Sequence, residues 1–287
     1  MEFSTSEKQK ELVDQIVRFC RRDLNGDESP CDREGRFNLD SWRKCGRMGL
    51  TGLPPPAAYG GGDLDSLTTA LLLEAFGYAC LDGGLVFSLG AHLGSCVVPV
   101  WKFGSAEQHS RYLQRLGDGS CIGANAVTEL EAGSDCFAMQ TRAEKAAGGY
   151  RINGIKNFVT NASVADLFIV YAKTDGRKKF AGGITAFLIE ADAAGLRLGQ
   201  RYSQMGLRSA PISELVLENV QVETSAALGG VGAGMAVFNH SMIWERVCIF
   251  ASQVGTMERL LELALRHSRS RSQFGQVIGK FQAVSHR

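Results

Sequence analysis

Tyr150-Arg151-Ile152-Asn153-Gly154-Ile155-Lys156-Asn157-Phe158-Val159-Thr160 sets β-branched and aromatic residues on both sides of an Asn-Gly pair. That dipeptide is the one a two-residue hairpin favours. The stretch therefore predicts two short strands turning at Asn153-Gly154. Working outward, runs of the same texture recur at Leu167–Tyr171, Ile184–Ile189 and Glu214–Leu217, punctuated by Gly148-Gly149 and Asp175-Gly176. Short apolar runs between turn signals mean a β domain in the middle of the chain, placed at residues 120–228.

The flanks have a helical period instead. Ser4 followed by Glu7 has capping-box spacing, and Leu12, Val13, Ile16, Val17 and Cys20 then fall on one helical face. Pro54-Pro55-Pro56 and Gly60-Gly61-Gly62 bracket a loop that no helix crosses, and a helix resumes over Ser66–Tyr78. Gly83–Trp101 is nineteen residues without Asp, Glu, Lys or Arg, which is membrane length. Four glycines, Pro99, Ser88, Ser95 and His92 within it favour a buried helix pair over a membrane span.

After Gly229-Gly230 the helical period returns. Val237, Phe238, Met242, Val247, Phe250, Val254, Met257, Leu261 and Leu265 mark a long helix whose stripe reads as core packing, ending near Ser268-Arg269-Ser270-Arg271. A further helix opens at about Lys280 and runs to Arg287 with no stop signal, so the chain reads as cut short. The fold class is α+β. An N-terminal α-helical domain (1–119) precedes the middle antiparallel β domain (120–228), and 229–287 begins an incomplete C-terminal helical bundle.

With 45% apolar and 21% charged residues, the 287-residue chain can fill a large core, which excludes disorder. Lys and Arg number 31 against 30 Asp and Glu, so no surplus of positive charge is present for a nucleic-acid backbone. The N-terminus has no basic segment followed by an apolar one, and no secretory signal is read there. The eight cysteines contain no Cys-x-x-Cys pair and sit in apolar runs, as free core thiols in a reducing, cytoplasmic compartment would. Histidines 92, 109, 240, 267 and 286 lack metal-ligand spacing, and no metal is expected. Gly229-Gly230-Val231-Gly232-Ala233-Gly234 matches neither phosphate-loop pattern and reads as the turn into the long helix.

Chemistry concentrates at Ala126-Val127-Thr128-Glu129-Leu130-Glu131-Ala132-Gly133-Ser134-Asp135. Small residues there let backbone amides approach a ligand, and Thr128 and Ser134 can donate to its oxygens. The 153–162 stretch follows, then Met205-Gly206-Leu207-Arg208, Trp244-Glu245-Arg246 and Arg271-Ser272-Gln273-Phe274-Gly275. With Gly49-Leu50, Tyr59-Gly60-Gly61, Phe103-Gly104 and Tyr112-Leu113 ahead of them, the ordered series resembles the acyl-CoA dehydrogenase family of flavoproteins.

That resemblance implies a three-part α/β/α subunit binding FAD between the β domain and the C-terminal bundle, assembled as a homotetramer or dimer. It implies α,β-desaturation of an acyl thioester, carried on coenzyme A or on an acyl carrier protein, with an electron-transferring flavoprotein as the family's usual acceptor. By position, Thr128 would bond the pyrimidine end of the flavin, with Val127 a further cofactor contact. Phe158 would lie beside the isoalloxazine, where many relatives have Trp, and Thr160 would reach the N5 side. Ser134 would meet the pantetheine arm, and Arg271, Gln273 and Phe274 the FAD of a neighbouring subunit. Glu245 stands where a helix-borne catalytic base sits, with Arg246 a substrate or structural arginine beside it. Read from the residues alone, Glu245 could equally be a structural ion-pair partner of Arg246 or of another helix.

The sequence departs from the family at three places. Leu130-Glu131 replaces the usual Pro-containing pair, Ser209-Ala210-Pro211 replaces a common Ser-Asp-Thr, and Ile243 stands where many coenzyme A users carry an acid. The last departure admits an acyl group on a carrier protein. Two other functions stay open: a partner subunit without chemistry, and an oxidase or flavin monooxygenase on the same fold.

Overall fold

The computed structural model describes residues 4–26, 29–176 and 182–286; Arg287 lies outside them. The first helix, α1 (Glu7–Phe19), is capped by Ser6 and not by Ser4. Ser6 Oγ accepts from the Gln9 amide at 3.2 Å while Gln9 Oε1 accepts from the Ser6 amide at 2.9 Å. The capping box is therefore real but two residues later than the Ser4–Glu7 spacing predicts, because Gln serves at its third position as well as Glu does. Helices α2 (Leu39–Arg47) and α3 (Ser66–Ala79) follow, the latter capped by Asp65.

Gly83–Phe103 forms one continuous helix, α4, not the expected pair. A wide π turn at Leu93–Val97 precedes Pro99, which sits in the first turn beyond it. There the missing proline N–H breaks no regular i→i−4 ladder, so the helix continues. Its apolar window is long enough to cross a membrane but is 89% buried inside the fold. His92 satisfies itself within this core: Nδ1 accepts from the Gly123 amide at 2.9 Å, and Nε2 faces the Leu116 carbonyl at 3.1 Å.

The middle of the chain forms an eight-stranded sheet with β1 (Gly123–Ala126), β2 (Arg142–Ala146), β3 (Gly149–Thr160), β4 (Leu167–Lys173), β5 (Ile184–Glu190), β6 (Leu196–Arg201), β7 (Ile212–Glu223) and β8 (Ala227–Leu228). The order is β6-β7-β3-β2-β4-β5-β8, antiparallel except where β1 and β2 each pair parallel with β4. β1 meets β4 at Leu167–Val170 and β2 meets it at Lys173, so the two short strands follow one another along β4. The segment 127–141 leaves the sheet between them.

Strand β4 alternates Leu167, Ile169 and Tyr171 into the core shared with the helices and Phe168, Val170 and Ala172 into the core within the sheet. Burial on both faces is why this strand reads as an unbroken apolar run.

Asn153-Gly154 does not turn. It lies inside the twelve-residue β3, and the hairpin turn is Ala147-Gly148, between paired Ala146 and Gly149. Across Ile152 and Gly154 the register with β7 slips by one residue, and Asn219 takes up the excess at φ 56°. A Cβ on Gly154 would come within 2.7 Å of Thr141 Cβ, so glycine is there to admit the segment leading into β2.

The long helix α5 (Gly234–Ser270) crosses α3 and α4 through small residues. A Cβ on Gly77 or on Gly255 would strike backbone of the opposing helix. Val237, Ser241, Cys248, Ser252 and Gly255 form the buried face of α5, while Val247, Phe250, Val254, Met257, Leu261 and Leu265 are exposed in this chain. The predicted core stripe is thus an apolar face beside the packed one. Close helix approach requires small side chains, and the large ones are displaced to the next face around the helix. All eight cysteines are free and buried.

Candidate active site

Segment 127–141 is tied back to the sheet by a buried ion pair. Lys156 Nζ lies 2.8 Å from Glu129 Oε1 and 2.9 Å from the Val127 carbonyl, with the two side chains 0% and 9% exposed. Glu129 also accepts from the amides of Gln140 and Thr141 and from the Thr141 hydroxyl. Burial opposes its charge, but Lys156 and these donors outweigh burial and hold the carboxyl below the usual carboxylate range. Glu129 and Ala132 exchange backbone hydrogen bonds at 3.1 Å, which leaves Leu130 and Glu131 as the exposed corners of a tight turn.

Next to this clamp β3 bulges. Between Lys156 and Val159 two residues, Asn157 and Phe158, face the single Glu214 on β7, and Phe158 absorbs the excess at φ 56°. Its ring is pushed outward, 55% exposed, and stacks on Tyr202. Asn157, buried behind it, donates its amide to the Thr128 carbonyl at 2.8 Å.

These elements and two helices enclose a cleft of ≈ 280 Å³. Phe238, Met242 and Glu245, at i, i+4 and i+7 of α5, form one wall, with Ala91 and Ser95 of α4 beside them. Val127, Thr128, Phe158 and Thr160 form the other, so five of the residues singled out from sequence meet around one space. Arg246, Ser134, Arg271, Gln273 and Phe274 do not line it. Arg246 is exposed, one residue and so about 100° around α5 from Glu245. Ser134 is exposed beside Gly133, which does line the cleft. Arg271, Gln273 and Phe274 lie on an exposed hairpin beyond the end of α5, with Ser272–Gln273 paired to Gln276–Val277.

Glu245 is the unusual group. Among the described residues it accepts no hydrogen bond and has no ion-pair partner, Arg246 included. Burial pushes its carboxyl up to about 7, against the opposing pull of the Arg246 charge. Among the described residues, the ion pair with Arg246 that the sequence leaves open is not formed. A carboxylate poised near neutrality and facing a cleft is what proton abstraction requires. The hydroxyls of Thr128 and Thr160 make no hydrogen bond among the described residues, and the buried Asn125 Oδ1 at the cleft wall has no partner.

Comparison with known proteins agrees along the whole chain. The acyl-CoA dehydrogenase N-terminal, middle and C-terminal domain families match residues 6–120, 124–220 and 232–287. The chain belongs to the acyl-CoA dehydrogenase family. Among acyl-CoA dehydrogenase relatives, it is 42% identical over 287 residues to an L-prolyl-[peptidyl-carrier protein] dehydrogenase from Serratia sp. (strain ATCC 39006), covering 100% of this chain and 74% of that protein. The crystal structure of the prolyl acyl carrier protein oxidase AnaB superposes with a TM-score of 0.95 at 45% identity, covering 99% of this chain and 75% of that one. PigA with FAD and proline superposes with a TM-score of 0.96 at 41% identity, covering 100% of this chain and 74% of PigA.

Sequence reasoning missed several residues in and around this candidate site: Asn125 on the cleft wall, and the Glu129–Lys156 clamp and Tyr202 behind it. Only Lys156 left a signal. It is in phase with Tyr150 and Ile152 on β3, so a two-residue period already puts it on the buried face.

Proposed function

We propose that this chain is an FAD-dependent dehydrogenase that desaturates an acyl group held as a thioester on a carrier protein, with Glu245 as the base. The observation that carries this reading is the half-buried Glu245 carboxyl, without a partner among the described residues and raised to about 7, in the same cleft as Phe158, Thr128 and Thr160. When bound, FAD supplies the hydride acceptor. The partnerless hydroxyls of Thr128 and Thr160, the orphaned Asn125 Oδ1 and the exposed Phe158 ring suit a flat heterocycle with polar edges. We assign Val127, Thr128, Phe158 and Thr160 to that cofactor. Ser134 at the rim is assigned to the thioester arm, and Arg271, Gln273 and Phe274 to the cofactor of a neighbouring subunit.

Glu245 takes the proton from the carbon next to the thioester carbonyl. Phe238 and Met242 place apolar side chains beside Glu245 on the same face of α5, so burial, and not a hydrogen bond, sets its basicity. Arg246 stays at the surface, where it moderates the rise in the Glu245 pKa.

A prolyl group on a peptidyl carrier protein is the proposed substrate, supported by the names of the relatives and by the apolar Ile243 in place of an acid. Oxygen as the electron acceptor is a second reading, favoured by the name of the AnaB oxidase, and an electron-transferring flavoprotein is the alternative acceptor. The exposed apolar residues of α5 support a tetramer or dimer, and eight free cysteines support a cytoplasmic setting. The segments 1–119, 120–228 and 229–287 are proposed as the domains.

The test is Glu245→Gln, assayed on prolyl-carrier and prolyl-CoA thioesters. The variant should keep its FAD and lose desaturation by about three orders of magnitude. Full activity in the variant sinks the assignment of the base, and a purified wild type without flavin sinks the whole reading.

A further inference from the structure

Tyr202 does not line the cleft, yet its ring stacks on Phe158 with centroids 4.5 Å apart and planes 27° apart. Phe158 needs such support. It is a bulky residue at φ 56° on a bulge, with more than half its surface exposed. An exposed ring without a neighbour samples several rotamers.

Tyr202 is itself fixed from three directions. Its hydroxyl accepts from Asn157 Nδ2 at 2.8 Å and donates to Glu214 Oε1 at 3.2 Å, and the same Nδ2 reaches Glu214 at 3.1 Å. Its backbone amide donates to the Ile212 carbonyl at 3.0 Å. The flanking loop is strapped to the helical domain. The Arg201 guanidinium donates to the Gly35 carbonyl, Arg208 donates to the Arg33 carbonyl at 3.1 Å and to Asp32 Oδ1 at 3.0 Å, and Ser209 Oγ meets Asp82 Oδ1 at 2.5 Å.

We propose that Tyr202 is a positioning residue for the reaction: it backs one face of Phe158 so that the ring meets the flat ligand in the cleft at a set angle. The inference deepens the flavin reading and rests on it. Asn157 joins the two layers, because its backbone amide holds Thr128 on the cleft wall while its side chain holds the Tyr202 phenol. Any tilt of Tyr202 therefore passes to Phe158 and to the wall beside it. The cofactor's orientation is in this way set partly from outside the cleft, by a loop anchored on the N-terminal helices.

Tyr202→Leu removes the stack and its anchor, Tyr202→Phe keeps the ring alone, and Phe158→Leu removes what is supported. In flavin-free protein carrying Phe158→Trp, adding Tyr202→Leu should raise acrylamide quenching of the new indole, and adding Tyr202→Phe should raise it less. In the FAD-loaded enzyme, Tyr202→Leu should alter the visible circular dichroism of the flavin as Phe158→Leu does. It should also lower kcat about tenfold with little change in KM. The double variant Tyr202→Leu/Phe158→Leu should be no worse than Phe158→Leu. Wild-type dichroism and kcat in Tyr202→Leu overturn the proposal. If that variant does not fold, Glu214→Gln, which slackens the phenol without removing the ring, replaces it, and unchanged dichroism there overturns the proposal equally. A wild type that takes up no FAD overturns the functional reading, while the flavin-free quenching still decides whether Tyr202 holds Phe158.

Discussion

A Cβ added to Gly94 of α4 would stand 2.6 Å from the Cα of Glu245 on α5, closer than real atoms approach. Glu245, the proposed base, is therefore seated by backbone contact between two helices, at the π turn that breaks the regular ladder of α4. Gly94→Ala should push α5 away at that point. Overpacking of this kind costs about 1–3 kcal/mol in stability. Activity should fall further than stability accounts for, because a displacement near 1 Å can cost on the order of a hundredfold in rate. Thermal melting together with kcat at a temperature well below the transition separates the two effects. Equal losses in both would argue against Gly94 as a seat for the proposed base.

The pH dependence follows from the same residue. Burial raises the Glu245 pKa to about 7, so the carboxyl is protonated and incompetent as a base below that pH. Desaturation, measured as kcat/KM, should climb tenfold per pH unit through the acid side and level off above about 7. Stability runs the other way. A carboxyl with a raised folded pKa contributes stability below its unfolded pKa of 4.5 and loses it as pH rises through about 7. Glu245→Gln should accordingly be the more stable protein at pH 8, by on the order of 2 kcal/mol. A variant less stable than wild type at that pH would contradict the burial that raises this carboxyl's pKa.

The clamp behind the cleft gives a third expectation. Glu129→Gln leaves the Lys156 ammonium buried without its counter-charge, which costs about 3–5 kcal/mol. The Gln140 and Thr141 amides lose a charged acceptor at the same time, so their hydrogen exchange should accelerate before that of β4. Adding Lys156→Met should recover part of the loss, because removing both charges is far less costly than stranding one. A double variant no better than Glu129→Gln would mean that the pair's hydrogen bonds, and not its charge, hold segment 127–141.

Some of this was legible in sequence and some was not, for physical reasons. Phe238, Met242 and Glu245 fall on one face by helical period alone, and the ordered motifs point to Val127, Thr128, Phe158 and Thr160. What remained hidden depends on partners distant in the chain. Asn153-Gly154 has the chemistry of a hairpin turn, and only the approach of Thr141 makes it a strand interior. Glu129 and Lys156 are unremarkable until the sheet brings them together. Periodicity found the apolar stripe of α5, but a period identifies a face without saying what covers it. Tyr202 carried no signal, because its proposed role lies in a ring stack between the loop after β6 and the bulge of β3.

His92 makes the last prediction, and it concerns acid stability. The imidazole is fully buried against the Trp42 ring, with centroids 5.0 Å apart. Its Nδ1 accepts from the Gly123 amide, which requires the neutral form with the proton on Nε2, facing the Leu116 carbonyl. Burial pushes its pKa down from 6.5 to about 4. A histidine with a lowered folded pKa contributes stability above its unfolded value and loses it as pH falls toward the folded one. The loss should reach about 2 kcal/mol at pH 5 and about 3 kcal/mol at pH 4. His92→Gln can keep a carbonyl toward Gly123 and an amide toward Leu116 without titrating. Denaturant unfolding of both proteins between pH 7 and pH 4 isolates the contribution, since every other titrating group is common to the two. The wild type should lose more stability over that range than the variant, by the amounts above. Parallel pH profiles would mean that the imidazole charges without disturbing the start of β1, and that Gly123 at the cleft wall does not depend on it.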